Sequence, residues 1–185
     1  MDKKNVTAAK PGIAGAISTA VAGTELPKDT AAALNEAFKS LGYISEDGLK
    51  NTKKSEGEQT KAWGGEIVLD NKEKAEDVFE FTLIETTNED VLKAVYGTAN
   101  VSGTLSAGLA VNVNDEEDAP HPFVVDMLLK GGTAKRIVIP QGKIMEVGEI
   151  VYKDNEITGY PVKLLAQKDA TGNTHYEYIK AKGDV

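Results

Sequence analysis

The sequence predicts a mainly β fold of β-sandwich or barrel type, with one or two short flanking α-helices. Two observations carry this. The stretch 78–97, VFEFTLIETTNEDVLKAVYG, switches once from a period of two to a period near 3.6. The second half of the chain is a series of short apolar runs separated by Gly-, Asn- and Asp-containing turns.

In 78–97, Phe79, Phe81 and Leu83 alternate with Glu80 and Thr82, which gives a strand one apolar face. Ile84 and Glu85 close the strand. Thr86, Thr87 and Asn88 are residues whose side chains accept the free N–H groups of a first helical turn. Glu89 and Asp90 stand where the helix dipole favours negative charge. Val91, Leu92, Val95 and Tyr96 follow at helical spacing, and Gly97 is the stop. A helix this short needs packing to persist. It is therefore expected to lie across a sheet, with Phe79, Phe81, Leu83, Ile84, Leu92 and Val95 as the core of the unit.

The remaining elements follow in chain order. Residues 1–11 read as a mobile arm ended by Pro11. Residues 12–22 (GIAGAISTAVA) are small and weakly apolar, a poor signal-peptide core and a better edge strand. Asp29 or Thr30 can cap a helix in which Leu34, Ala37, Phe38 and Leu41 fall at i, i+3, i+4, i+7, stopped by Gly42. Tyr43 and Ile44 are extended, and Asp47-Gly48 is a turn. Residues 50–61, KNTKKSEGEQTK, carry almost no apolar side chain. They are expected as a long polar loop, or the tip of a long hairpin, in the isolated monomer. Trp63, the only tryptophan, ends the run. A strand is expected at 66–69 and a charged link at 70–77.

After Gly97, alternation from Val101 to Val113 indicates extended chain, and 114–122 is a loop. Apolar strands at 123–129 and 137–139 flank Gly131-Gly132, a hairpin signal. Strands at 144–152, 157–166 and 175–180 complete a β-meander. The whole of 1–185 reads as one domain, without solenoid repeats.

The chain has 185 residues and a formal net charge of −8, which argues against a sequence-reading nucleic-acid binder. It contains no cysteine, so thiolate metal sites, disulfides and thiol catalysis are excluded. No apolar run is long enough to span a bilayer. His121 lies between two prolines near Glu117, Asp118 and Asp126, without convergent ligand spacing. His175 reads as a surface position beside a core face. The run 130–135, KGGTAK, lacks the spacing of a phosphate loop and joins strand to strand. The pairs Glu46/Asp47 and Glu116/Glu117 lie in turns with no apolar pocket to raise a carboxyl pKa. Asn5 and Asn100 begin glycosylation patterns that are frequent by chance. The expectation is no enzyme, no cofactor and no metal.

Four pieces taken together carry a resemblance: AALNEAFKSLGYISEDGL (Ala32–Leu49), KAWGG (Lys61–Gly65), FEFTLIETTNEDVLKAVYG (Phe79–Gly97) and DATGNTHYEYI (Asp169–Ile179). In order and spacing the chain resembles the major tail proteins, or tail tube proteins, of long-tailed phages. The resemblance covers most of the chain and is least informative at 98–122. It implies a tail-tube-type β-sandwich related to the tubes of contractile tails and type VI secretion, and a structural virion protein. It further implies hexameric rings stacked into a hollow tube, the conduit for DNA ejection, made in the host cytoplasm. The implied partners are further copies of the chain, a tape measure protein, tail-tip and terminator proteins, and phage DNA passing through the lumen unread. The last piece resembles the family's closing hairpin. Some relatives carry an immunoglobulin-like C-terminal domain, for which 185 residues leave no room.

The resemblance also implies that the long polar segment joins subunits. Its candidate interface residues are Lys50, Lys53, Lys54, Glu56, Glu58, Lys61 and Trp63. Trp63 has two readings, an anchor for a partner or a plug for its own sheet edge. The competing function is a monomeric β-sandwich module that binds a carbohydrate or cell-wall ligand. Against it stands an aromatic content of only 6%.

Overall fold

Unbroken apolar runs such as Phe123–Val125 and Ile137–Ile139 are what strands buried on both faces require, and these two runs form the centre of the fold. The computed structural model describes residues 1–12, 15–116 and 118–181, with backbone alone at residue 4, 55–61 and 69–75. The strands in chain order are β1 (Ala9–Pro11), β2 (Ile17–Thr19), β3 (Lys39–Ser40), β4 (Lys50–Lys61), β5 (Ile67–Leu83), β6 (Val101–Thr104), β7 (Gly108–Val111), β8 (His121–Leu129), β9 (Ala134–Val147), β10 (Tyr160–Gln167) and β11 (Tyr176–Lys180). Helix α1 spans Glu89–Tyr96. The fold is mainly β, as the sequence predicts, with one α-helix among the described residues.

All the strands except β6 and β7 form one antiparallel sheet in the order β3-β2-β8-β9-β10-β5-β4. β8 and β9 are each flanked by a strand delivered in two pieces. β1 and β2 both pair with β8, at Met127–Leu129 and Phe123–Val125. β10 and β11 both pair with β9, at Gln141–Val147 and Ala134–Val138. The chain leaves the sheet between the pieces, at 12–16 and 168–175. The end of the chain is thus no closing hairpin with β10: β11 runs on along β9.

Alternation sorts the central side chains. Phe123, Val125, Ile137 and Ile139 point into the main core with Phe79, Phe81, Leu83, Val162 and Leu164. That core is covered by Val91, Leu92 and Ala94 of α1 and Val101 of β6, with Leu109 and Val111 of β7 packed at its edge. Val124 and Val138 point the other way, into a smaller cluster with Ala20 and Phe38, flanked by Leu34 and Ala37.

The helix predicted through Leu34 and Leu41 is absent. A helix there would need the Ala32 carbonyl to accept from residue 36. Buried Arg136 takes that carbonyl instead (2.8 Å) and also that of Asp29 (3.0 Å). Its other nitrogens grip Asp126 in a fork at 2.6 and 3.0 Å. The Asp29 carboxylate accepts from the backbone N–H groups of Ala31 and Ala32, the bonds of a helix cap, yet no helix follows it. The periodic apolar residues are divided between two clusters, with Leu34, Ala37 and Phe38 in one and Leu41 in the other. Of residues 12–22, Ile13 and Ala14 lie outside the described residues, and 17–19 are β2. The arm at 1–11 is tied down at β1. The strand expected at 144–152 ends at Val147 with β9.

The unit at 78–97 forms as its pattern indicates. Asn88 accepts from the Asp90 N–H (2.9 Å), and the Gly97 N–H donates to Lys93 O at a φ of +90°.

Candidate assembly interface

The charged run at 50–61 is not a loop but β4, the first limb of a long hairpin, and the charged link at 70–77 belongs to the second limb, β5. The ladder explains why so polar a run is extended. Backbone pairing needs no apolar side chain, and the register sets Lys50 opposite Glu80 and Lys54 opposite Glu76. Opposite charges at facing positions favour pairing by about 0.2–1 kcal/mol each. Bulges interrupt the ladder between Ser55 and Glu56 and between Thr60 and Lys61, which sharpens the twist and bends the ribbon.

β10 pairs with β5 only from Val78 to Leu83. From Ile67 to Asp77, β5 pairs with β4 alone among the described residues. This part of the hairpin is a two-stranded arm extending beyond the sheet, about 30 Å long at the usual rise per residue. Its tip is a tight turn in which the Ala62 N–H donates to Glu66 O (2.8 Å) and the Ala62 carbonyl receives Gly64 and Gly65. Trp63 on that turn is 105% exposed, and Ile67 and Val68 beside it are exposed too. Trp63 therefore does not plug its own sheet. Lys50, Lys53 and Lys54 are exposed along β4. The backbone of Glu56, Glu58 and Lys61 lies in the same strand, while their side chains fall outside the described part.

The arm's root holds a cluster that the sequence reading missed. Asp77 is 1% exposed. It accepts hydrogen bonds from the Thr174 hydroxyl (2.5 Å), His175 Nδ1 (2.6 Å) and Asn51 Nδ2 (2.8 Å). Burial by itself would raise its pKa. The bonds from Thr174, Asn51 and His175, together with the His175 charge, outweigh burial and hold it below the ordinary carboxylate value. His175 also meets the Phe79 ring edge-on, centroids 5.3 Å apart. It is thus a partly buried root residue, not the surface position its strand pattern indicates. The signal was one of parity: Asp77 stands two residues before Phe79 and so shares the core face of Phe79, Phe81 and Leu83.

Thr174 and His175 are presented by the 168–175 excursion, which is itself braced. One Asp169 oxygen accepts from the Thr171 and Asn173 N–H groups, the other from the Tyr176 hydroxyl (2.7 Å). The Tyr176 bond first, then those of Thr171 and the backbone, bring the Asp169 pKa down to about 2.

The other sequence candidates lie elsewhere. Phe79, Phe81, Leu83 and Leu92 are buried, Val95 is half-buried against the core, and Ile84 is half-buried at the strand's end. The ring of His121 stacks on Phe123 and its Nδ1 meets the Ala119 carbonyl at 2.9 Å. Glu46 and Asp47 are in the turn before β4, and Glu117 lies outside the described residues.

The described residues thus form a β-rich body from which a long two-stranded arm with exposed apolar side chains at its tip extends. The comparisons narrow the class. A family described as Phage tail tube protein matches residues 2–183. The chain belongs to that family and is a structural component of the phage tail. No curated protein matches it.

Proposed function

We propose that the chain assembles into stacked hexameric rings forming the tail tube, through which the genome is ejected. The β4–β5 arm joins one copy to the next, with Lys50, Lys53, Lys54, Glu56, Glu58, Lys61 and Trp63 at the contact. The observation that carries this reading is the tip. Trp63, Ile67 and Val68 are each exposed at the end of an arm that, among the described residues, pairs with no strand of the body. Exposed tryptophans anchor interfaces because a large apolar surface is removed from water on docking. A two-stranded ribbon is marginal alone, so a neighbour that covers it also stabilises it. The tape measure protein would occupy the lumen before the DNA does, and tail-tip and terminator proteins would cap the ends. A net charge of −8 suits a conduit that must not hold DNA by its phosphates.

The test replaces 55–75 with Asn-Gly, a two-residue turn that closes the hairpin at the Lys54–Glu76 pair. Sedimentation over a wide concentration range and negative-stain microscopy then compare it with the parent chain. The parent is expected to form rings and tubes, and the shortened chain to stay folded and fail to make long tubes. A parent that stays monomeric even with the tail-tip proteins, or a shortened chain that makes tubes equally well, sinks the reading.

A further inference from the structure

We infer that Asp77, with Asn51, Thr174 and His175, is a positioning cluster that fixes the direction in which the β4–β5 arm leaves the body. Three observations support it. First, the cluster sits where the arm loses its second neighbour: β10 accompanies β5 as far as Val78, and Asp77 is the next residue out. Beyond that point no third strand among the described residues flanks the ribbon to hold its angle. Second, the three donors to Asp77 come from two separate places. Asn51 belongs to β4, opposite Phe79 where the hairpin is still part of the sheet, while Thr174 and His175 belong to the excursion between β10 and β11. A carboxylate bonded from both sides at 2.5–2.8 Å resists bending in a way that apolar packing, which has no preferred direction, does not. Third, the excursion is a stiff support. Asp169 closes its turn through two backbone N–H groups, and the Tyr176 hydroxyl pins that turn to the first residue of β11. An arm that meets a neighbouring copy must arrive already aimed, because orientation lost in the free state is recovered at the expense of affinity. The consequence for assembly rests on the reading of the arm as the contact between copies; the positioning itself does not.

The chain has no cysteine, so two can be introduced without background. Spin labels at Gly64→Cys, on the tip, and Lys130→Cys, in the β8–β9 turn at the end of the sheet toward which the arm points, report the arm's angle. The pulsed dipolar distance distribution is measured on dilute monomer. Thr174→Val keeps the side chain's shape and deletes its donor, Thr174→Ser keeps the donor, and His175→Phe keeps a ring against Phe79 without the Nδ1 bond. The distribution is expected to be narrow in the parent and in Thr174→Ser, and about two-fold broader in Thr174→Val and His175→Phe. Equal widths in all four overturn the inference. The concentration needed for tubes should rise about ten-fold in Thr174→Val and be restored in Thr174→Ser, the effect of one charged hydrogen bond. Broadening without that rise upholds the positioning role and counts instead against the arm as the contact between copies.

Discussion

Asp77 is the residue whose removal should be felt most widely for its size. Asp77→Ala takes the acceptor from Thr174 and His175 and one of two from Asn51, whose Nδ2 also donates to Val78 O at 3.3 Å, and a loss of about 3 kcal/mol in urea unfolding at pH 7 is expected. The pH dependence has a definite sign. The folded carboxyl titrates below its unfolded value of 3.8, so its contribution is present above pH 3.8 and fades as pH falls through the lower folded value. Part of the parent's acid destabilisation should therefore be missing in Asp77→Ala when unfolding is repeated at pH 7, 4 and 3. A second single-residue test is Gly42. Its φ is +71°, and a Cβ there would run into the Glu85 carboxylate. That carboxylate is held by the Tyr43 N–H and by Asn88 Nδ2, both at 3.0 Å. Gly42→Ala should cost about 1–3 kcal/mol through backbone strain and the clash. Adding Glu85→Ala should recover part of it in a double-mutant cycle, and strictly additive losses would show that the two do not meet. Neither site could be read in full from the sequence. Gly42 reads as a stop signal for a helix that does not form, and Asp77 is hidden in a charged run. Their importance depends on residues 42–43 positions away for Gly42 and Tyr43, and 97–98 for Asp77.

At the scale of elements, what could be read depended on where the hydrogen bonds go. The strand and helix of 78–97 were legible because their partners are local: the cap is Asn88, the stop Gly97, and the period changes between them. Asn88→Ala should lower stability by about 1 kcal/mol, seen as a fall in Tm with unchanged tube morphology. Leu92→Asp places a charge where the side chain is 6% exposed and should abolish folding. Ile84→Asp, half-buried at the end of β5, should leave a folded but weaker chain. A cooperative melt in Leu92→Asp would show the helix to be dispensable to the core. The segment 32–41 was not legible because Arg136, about a hundred residues away, takes the carbonyls that a helix would use. The polar run 50–61 was half legible. Its composition rules out a core strand, but not a strand held by its ladder and by Lys–Glu register.

For the molecule as a whole, body and arm should differ in stability. Backbone amides at 53–76 are expected to exchange hydrogen fast in the monomer and slowly in the tube, while those of β8 and β9 stay protected in both. Equally fast exchange of the arm in both states would remove it from the interface. The mainly β class and the succession of strands were legible from alternation and turns. The strand order was not, since it joins β2 to β8 and β5 to β10 across long separations that no local pattern records. That order also has a consequence during synthesis. β10 is the strand that links the β4–β5 hairpin to β8 and β9, and the donors that aim the arm come later still, at 174 and 175. A chain emerging from the ribosome therefore carries its exposed apolar tip before the residues that aim the arm have been added. With the arm as the contact between copies, as proposed, a growing chain cannot hold it at the docking angle until residues 174 and 175 have been added, so the tightest association waits for the strands of the body.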